Sequence, residues 1–108
     1  MNDFIELSGT SGAAYRFRLW AHGAGHPPMG GNYAFVRIDS SGLVVVAAAA
    51  ADDLSMVRTA LDPAALERGA THLFTRLNMS RVVRTFEADD IVAFYALEAE
   101  PSQRKRGA

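Results

Sequence analysis

Residues 21–31 read Ala-His-Gly-Ala-Gly-His-Pro-Pro-Met-Gly-Gly, and four glycines with a proline pair exclude both a helix and a central strand there. The fold must therefore be assembled from short pieces on either side of a long loop, and loops of that length in so small a domain are often functional. Upstream, Phe4-Ile5-Glu6-Leu7 is an apolar-rich run and Ser8 to Gly12 supplies turn residues. Tyr15 to Trp20 alternates with period two, setting Tyr15, Phe17 and Leu19 against Arg16 and Arg18. This pattern predicts an N-terminal β-hairpin. Downstream, Asn32 to Ile38 and the run from Leu43 to Val46 flank the turn Asp39-Ser40-Ser41-Gly42, which predicts a second hairpin. Its last strand, apolar on both faces, is expected to be central and covered on both sides.

Five alanines, Ala47 to Ala51, lead to Asp52-Asp53, either of which suits a helix N-cap. The helix is expected to run to Leu61, where Asp62-Pro63 starts a shorter one ending at Gly69. Thr71 to Leu77 alternates as a strand, and the longest helix runs from Arg81 to about Leu97. The expected fold is α+β, a small mixed or antiparallel sheet with flanking helices, in one domain over residues 1–100. Residues 101–108 read as a polar, disordered basic tail.

At 49% apolar and 21% charged, the 108 residues can bury a core. The absence of cysteine removes disulfides, thiolate metal sites and cysteine nucleophiles. No apolar run approaches the ~18–20 residues of a membrane span, and no basic, apolar leader opens the chain. A cytoplasmic protein without a membrane role is expected. Three of the eleven bases sit together at Arg104, Lys105 and Arg106, so the first 100 residues carry eight bases and twelve acids, a net of −4. That balance argues against a basic nucleic-acid face. It leaves weak nucleic-acid contact through Arg104, Lys105 and Arg106, or a protein partner.

On a wheel of the last helix, Val82, Ala93, Phe86, Leu97, Val83, Phe94 and Ile91 share one half, expected to face the core. Glu87 and Asp90 fall in that half, so each must be paired, coordinated or protonated. Arg58, inside the stripe Leu54, Val57, Arg58, Leu61 of the preceding helix, is the expected cation. His22 and His26 are a candidate metal pair or the rim of a site. Arg16 and Arg18 are candidates to meet phosphates, a solvated face or Glu6. His72 reads as a half-buried structural histidine.

The order of these segments resembles the GIY-YIG nucleases, in particular small single-domain bacterial members. Gly31-Asn32-Tyr33 is similar to that family's Gly-x-Tyr, and Arg84-Thr85-Phe86-Glu87-Ala88-Asp89 to its Arg-x-x-Glu-x-Asp. The likeness spans about residues 28–95. It implies Tyr33 and Arg58 as remnants of catalytic positions, Glu87 as a metal ligand, and Mg²⁺ or Mn²⁺ as cofactor if the site is active. The family's Tyr-x-Gly falls on Ala47-Ala48-Ala49, and its arginine on Val57 with Arg58 one place along. With the second tyrosine replaced and the cation displaced, the expected function is a non-catalytic binding or interaction module. The alternatives are a divergent metal-dependent endonuclease and a protein-binding adaptor without a nucleic-acid role.

Overall fold

The structure, a computed structural model, describes residues 3–21, 24–57 and 67–97. Five strands, β1 (Phe4–Ser8), β2 (Ala14–Leu19), β3 (Gly31–Asp39), β4 (Gly42–Ala51) and β5 (His72–Leu77), form one sheet in the order β1-β2-β5-β3-β4. Every pairing is antiparallel. One α-helix, α1 (Arg81–Tyr95), follows β5, making an α+β fold with the expected N-terminal hairpin. The β1–β2 register pairs Phe4 with Arg18 and Leu7 with Tyr15, so Tyr15 and Phe17 join Leu7 on one face while Arg16 and Arg18 take the other. Among the described residues no helix is long and apolar enough to cross a membrane.

Three expectations about the elements are corrected. The alanine run is not a lead-in to a helix; it completes β4, which runs through Ala51 and stands at the edge of the sheet rather than its centre. Ala47, Ala48 and Ala49 are nevertheless buried, and α1 packs over this alanine end, where short side chains leave room for a helix. The expected helix from Asp52 appears in its described part as a single 3₁₀ turn, Leu54–Met56, capped by the Asp53 carboxylate accepting from the Ser55 N–H at 3.0 Å. The remainder of that helix, with Arg58, lies outside the described residues, as do His22 and the tail carrying Arg104, Lys105 and Arg106.

The sheet has an apolar cluster on each side. Phe17, Val36, Ala34, Phe74 and Leu7 meet Ile91 of α1 on one face. Phe35, Leu73 and Trp20 meet Leu54 and Val57 on the other. The sheet therefore stands between the 3₁₀ turn and α1, two segments the sequence placed side by side.

The third correction concerns the rotation of α1. Ser80 caps it, accepting from the Val83 N–H, and Ala96 ends it in a left-handed conformation at φ 55°. Between these caps the buried residues are Arg84, Glu87, Ala88, Asp90 and Ile91. Val82, Val83, Phe86 and Phe94, four of the seven apolar residues expected to face the core, face outward, Val82 at 79% and Phe86 at 59% exposure, while Ile91 is buried as expected. Helix burial therefore follows the hydrogen-bonding partners of its charges. Replacing fully buried Phe74 with Ala is expected to cost about 3–5 kcal/mol in urea denaturation. Phe86→Gln, on the outer face, should change stability by no more than about 0.5 kcal/mol, the reverse of what the helical wheel implies.

Candidate functional site

Alternation along β3 decides the central question about the expected catalytic remnants. Asn32, Ala34 and Val36 point toward α1, whereas Tyr33 and Phe35 point to the opposite face, where Tyr33 packs edge-on against Phe35 at 5.7 Å. Glu87 approaches the sheet from α1 and is 8% exposed. Tyr33 and Glu87 thus lie on opposite sides of one sheet and cannot act on a common atom.

Glu87 is also already engaged. Its Oε1 accepts from Arg76 Nε at 2.9 Å and Asn78 Nδ2 at 3.0 Å. Asn78 Nδ2 also donates to Asn32 Oδ1, and Asn32 Nδ2 donates to the Arg84 carbonyl at 2.8 Å. Arg84 in turn donates to the carbonyls of Asn78 and Met79 and to Asp52 Oδ1 at 2.6 Å, while Arg81 holds Asp52 Oδ2. These two guanidinium groups pull the Asp52 carboxyl below the ordinary carboxylate range. Asn32, only 1% exposed, both donates and accepts inside the network. The cation that meets Glu87 is Arg76 of β5; Arg58 lies outside the described residues.

This chemistry does not fit a divalent metal. A metal at Glu87 would stand beside the Arg76 guanidinium that already meets this carboxylate, and no group of three or more histidine, aspartate or glutamate side chains converges among the described residues. His26 does not fit one either, since both its ring nitrogens are engaged. Nδ1 lies 2.9 Å from the Pro27 carbonyl, which can only accept, so Nδ1 carries the proton. Nε2 then accepts from Thr75 Oγ1 at 2.8 Å.

Asp90 solves its burial in another way. Among the described residues no cation pairs with it; its carboxylate accepts from Thr10 Oγ1, the Ser11 N–H, Ser11 Oγ and Tyr15 Oη at 2.6–2.9 Å. The donors belong to the turn between β1 and β2 and to the start of β2. Donation by Ser11 and then Tyr15 outweighs desolvation and holds the Asp90 carboxyl far below the usual range. The same contact, after burial itself, pushes the Tyr15 phenol up. A Cβ at Gly9 would sit within 2.4 Å of Asp90 Cγ, so the turn needs glycine there for the carboxylate to enter.

The remaining sequence candidates assemble on the Tyr33 side of the sheet. A groove of ≈ 610 Å³ opens along β2 and is lined by Arg16, Arg18, Trp20, His26, Thr75 and Arg76, among others. Trp20 and His26 have ring centroids 4.8 Å apart, and Trp20 Nε1 donates to the Ala24 carbonyl at 2.7 Å. Arg16 lies 3.9 Å from the Phe4 ring centroid and Arg18 6.0 Å. Glu6 lies across the ladder from Arg16, yet neither arginine joins an ion pair among the described residues. His72, half-buried as expected, bonds Thr71 through Nδ1.

Sequence reasoning missed Asn32, Arg76, Asn78 and Arg84. The signal available was the alternation of β3 and β5, which sets Asn32 and Arg76 on the same face as Ala34 and Phe74. No family model, curated protein or solved structure matches the chain.

The Asp90 contacts give a pH prediction. A carboxyl with a folded pKa below its unfolded value, ~3.9, contributes stability that is complete above the unfolded pKa and fades as pH falls toward the folded one. Asp90→Asn should therefore melt several degrees below wild type at neutral pH, with the deficit narrowing below about pH 4. A deficit constant across that range in thermal melts would refute the carboxylate's part.

Proposed function

We propose that this chain is a non-catalytic binding module, a degenerate relative of the GIY-YIG nucleases that works in the cytoplasm. The observation that supports the reading is the placement of Tyr33 and Glu87 on opposite faces of the sheet. Phosphodiester hydrolysis needs an activated water, charge stabilisation and, in metal-dependent enzymes, an open ligand position, all converging on one phosphate. Here Glu87 spends its Oε1 on Arg76 and Asn78, and the residue standing where a second tyrosine is needed is alanine. The binding surface in this reading is the groove formed by β2 and the loop before β3.

A second reading, a protein-binding adaptor, draws on a different observation. The outer side of α1 presents Val82, Val83, Phe86 and Phe94 to solvent, and apolar patches of this kind are typical of protein contacts.

The test of the main reading is direct. The full chain with Mg²⁺ or Mn²⁺ should leave supercoiled plasmid, linear duplex and single-stranded DNA intact. Cleavage that is lost in both Glu87→Ala and Tyr33→Phe would overturn the reading. The tyrosine variant guards against loss through misfolding, because Glu87→Ala removes the carboxylate that Arg76 and Asn78 donate to and should cost about 1–3 kcal/mol by itself.

A further inference from the structure

Six of the described arginines fall into two groups. Arg37, Arg76, Arg81 and Arg84 each meet a carboxylate, on Asp39, Glu87 or Asp52. Arg16 and Arg18 meet none among the described residues, and both project from β2 into the groove. Among the described residues no aspartate or glutamate lines that groove, although the first 100 residues carry an excess of acid. Two like charges two residues apart on one strand face repel each other, and the Phe4 ring beneath them offsets this only in part. Whereas Arg37, Arg76, Arg81 and Arg84 are paired internally, these two are turned toward a concave, partly aromatic space.

We propose that the groove binds a small organic phosphate carrying a flat ring, with the phosphate on Arg16 and Arg18 and the ring against the wall of Trp20, His26 and Pro27. The inference rests on the reading of the chain as a binding module. A phosphate suits the pair better than a carboxylate. A carboxylate offers one negative charge and two oxygens in one plane, whereas a phosphate monoester offers up to two charges and three outer oxygens in a tetrahedral array to set against two guanidinium forks. Arg76 adds no net charge, because Glu87 compensates it. Thr75 and His26 are bonded to each other, so they shape the wall and fix the ring's approach rather than bind the anion. The volume, ≈ 610 Å³, lies within the range of small-molecule sites and is ample for one mononucleotide.

Trp20 is the only tryptophan in the chain, so its emission reports on the groove. The full chain should be titrated with adenosine monophosphate, with adenosine, with inorganic phosphate and with a short single-stranded oligonucleotide, and each binding confirmed by calorimetry. Adenosine monophosphate should give a saturable change in emission, and adenosine or phosphate alone should bind about tenfold more weakly or less. The double variant Arg16→Gln, Arg18→Gln should lose about ten- to a hundredfold in affinity. The Arg16→Lys, Arg18→Lys pair, which keeps the charge but not the forks, should fall between, and Arg37→Gln should match wild type. Tighter binding of the oligonucleotide with the same loss in the glutamine variant would support the site and assign its phosphate to a strand. No saturable signal at millimolar nucleotide, or equal affinity in the glutamine variant, would overturn the proposal. A chain that fails here but cleaves no DNA keeps the binding-module reading; a chain that cleaves through Glu87 and Tyr33 loses that reading whatever the titration shows.

Discussion

The Asp90 carboxylate accepts four hydrogen bonds from the turn between β1 and β2 and from Tyr15, joining the last helix to the first hairpin across the length of the domain. A carboxylate withdrawn from water must recover equivalent donors, and here hydroxyls and an amide supply them in place of a cation. Those donors are fixed in a turn whose Gly9 has no Cβ to block entry. With Asp90 seated, the rotation of α1 follows: Arg84, Glu87 and Ile91 must face the sheet, and Val82 and Phe86 must face away. At the other end of the helix the two guanidinium groups on Asp52 hold the same rotation, and the Tyr95 hydroxyl accepts from the Ser8 N–H close to the hairpin.

This explains what was legible in the sequence. Period-two alternation in Tyr15 to Leu19 and Thr71 to Leu77, together with the turn residues between the strands, is local information. The first hairpin, β3, the start of β4, β5 and the helix were accordingly readable within a residue or two. The rotation of α1 was not. A helical wheel scores apolarity and has no account of donors that arrive from a turn some 80 positions away. The choice it offered for Asp90, a cation partner or a raised pKa, left out hydrogen bonding to the ionised form, which is the outcome found. The alanine run was misread for a related reason. Alanine favours helices intrinsically, but β4 is held by its ladder to β3 and by α1 packing over short side chains.

Among the site candidates, Glu87 was correctly read as a buried carboxylate needing a partner, and the partner the structure shows, Arg76, was not among the cations considered. Arg76 reaches it because β5 lies between β2 and β3, a strand order that no run of residues announces. The separation of Tyr33 from Glu87 could have been read sooner. Asn32 and Tyr33 are adjacent in a strand, so if Asn32 faces the helix, Tyr33 cannot.

The two faces of the sheet consequently carry different kinds of polar group. On the helix side Asn32, Arg84 and Glu87 are joined through Asn78, with Arg76 on Glu87, and Asp90 is held separately by Thr10, Ser11 and Tyr15; such networks rigidify a fold and leave little capacity for a ligand. On the other side Arg16 and Arg18 retain donor forks that no described carboxylate takes up, beside a groove whose wall is already ordered by Trp20, His26 and Thr75. Binding there would not require breaking an internal ion pair, whereas the Glu87 carboxylate is already paired with Arg76. The cost of recognition is lowest where the scaffold is rigid and the charges are uncommitted, and in this chain both conditions meet along β2.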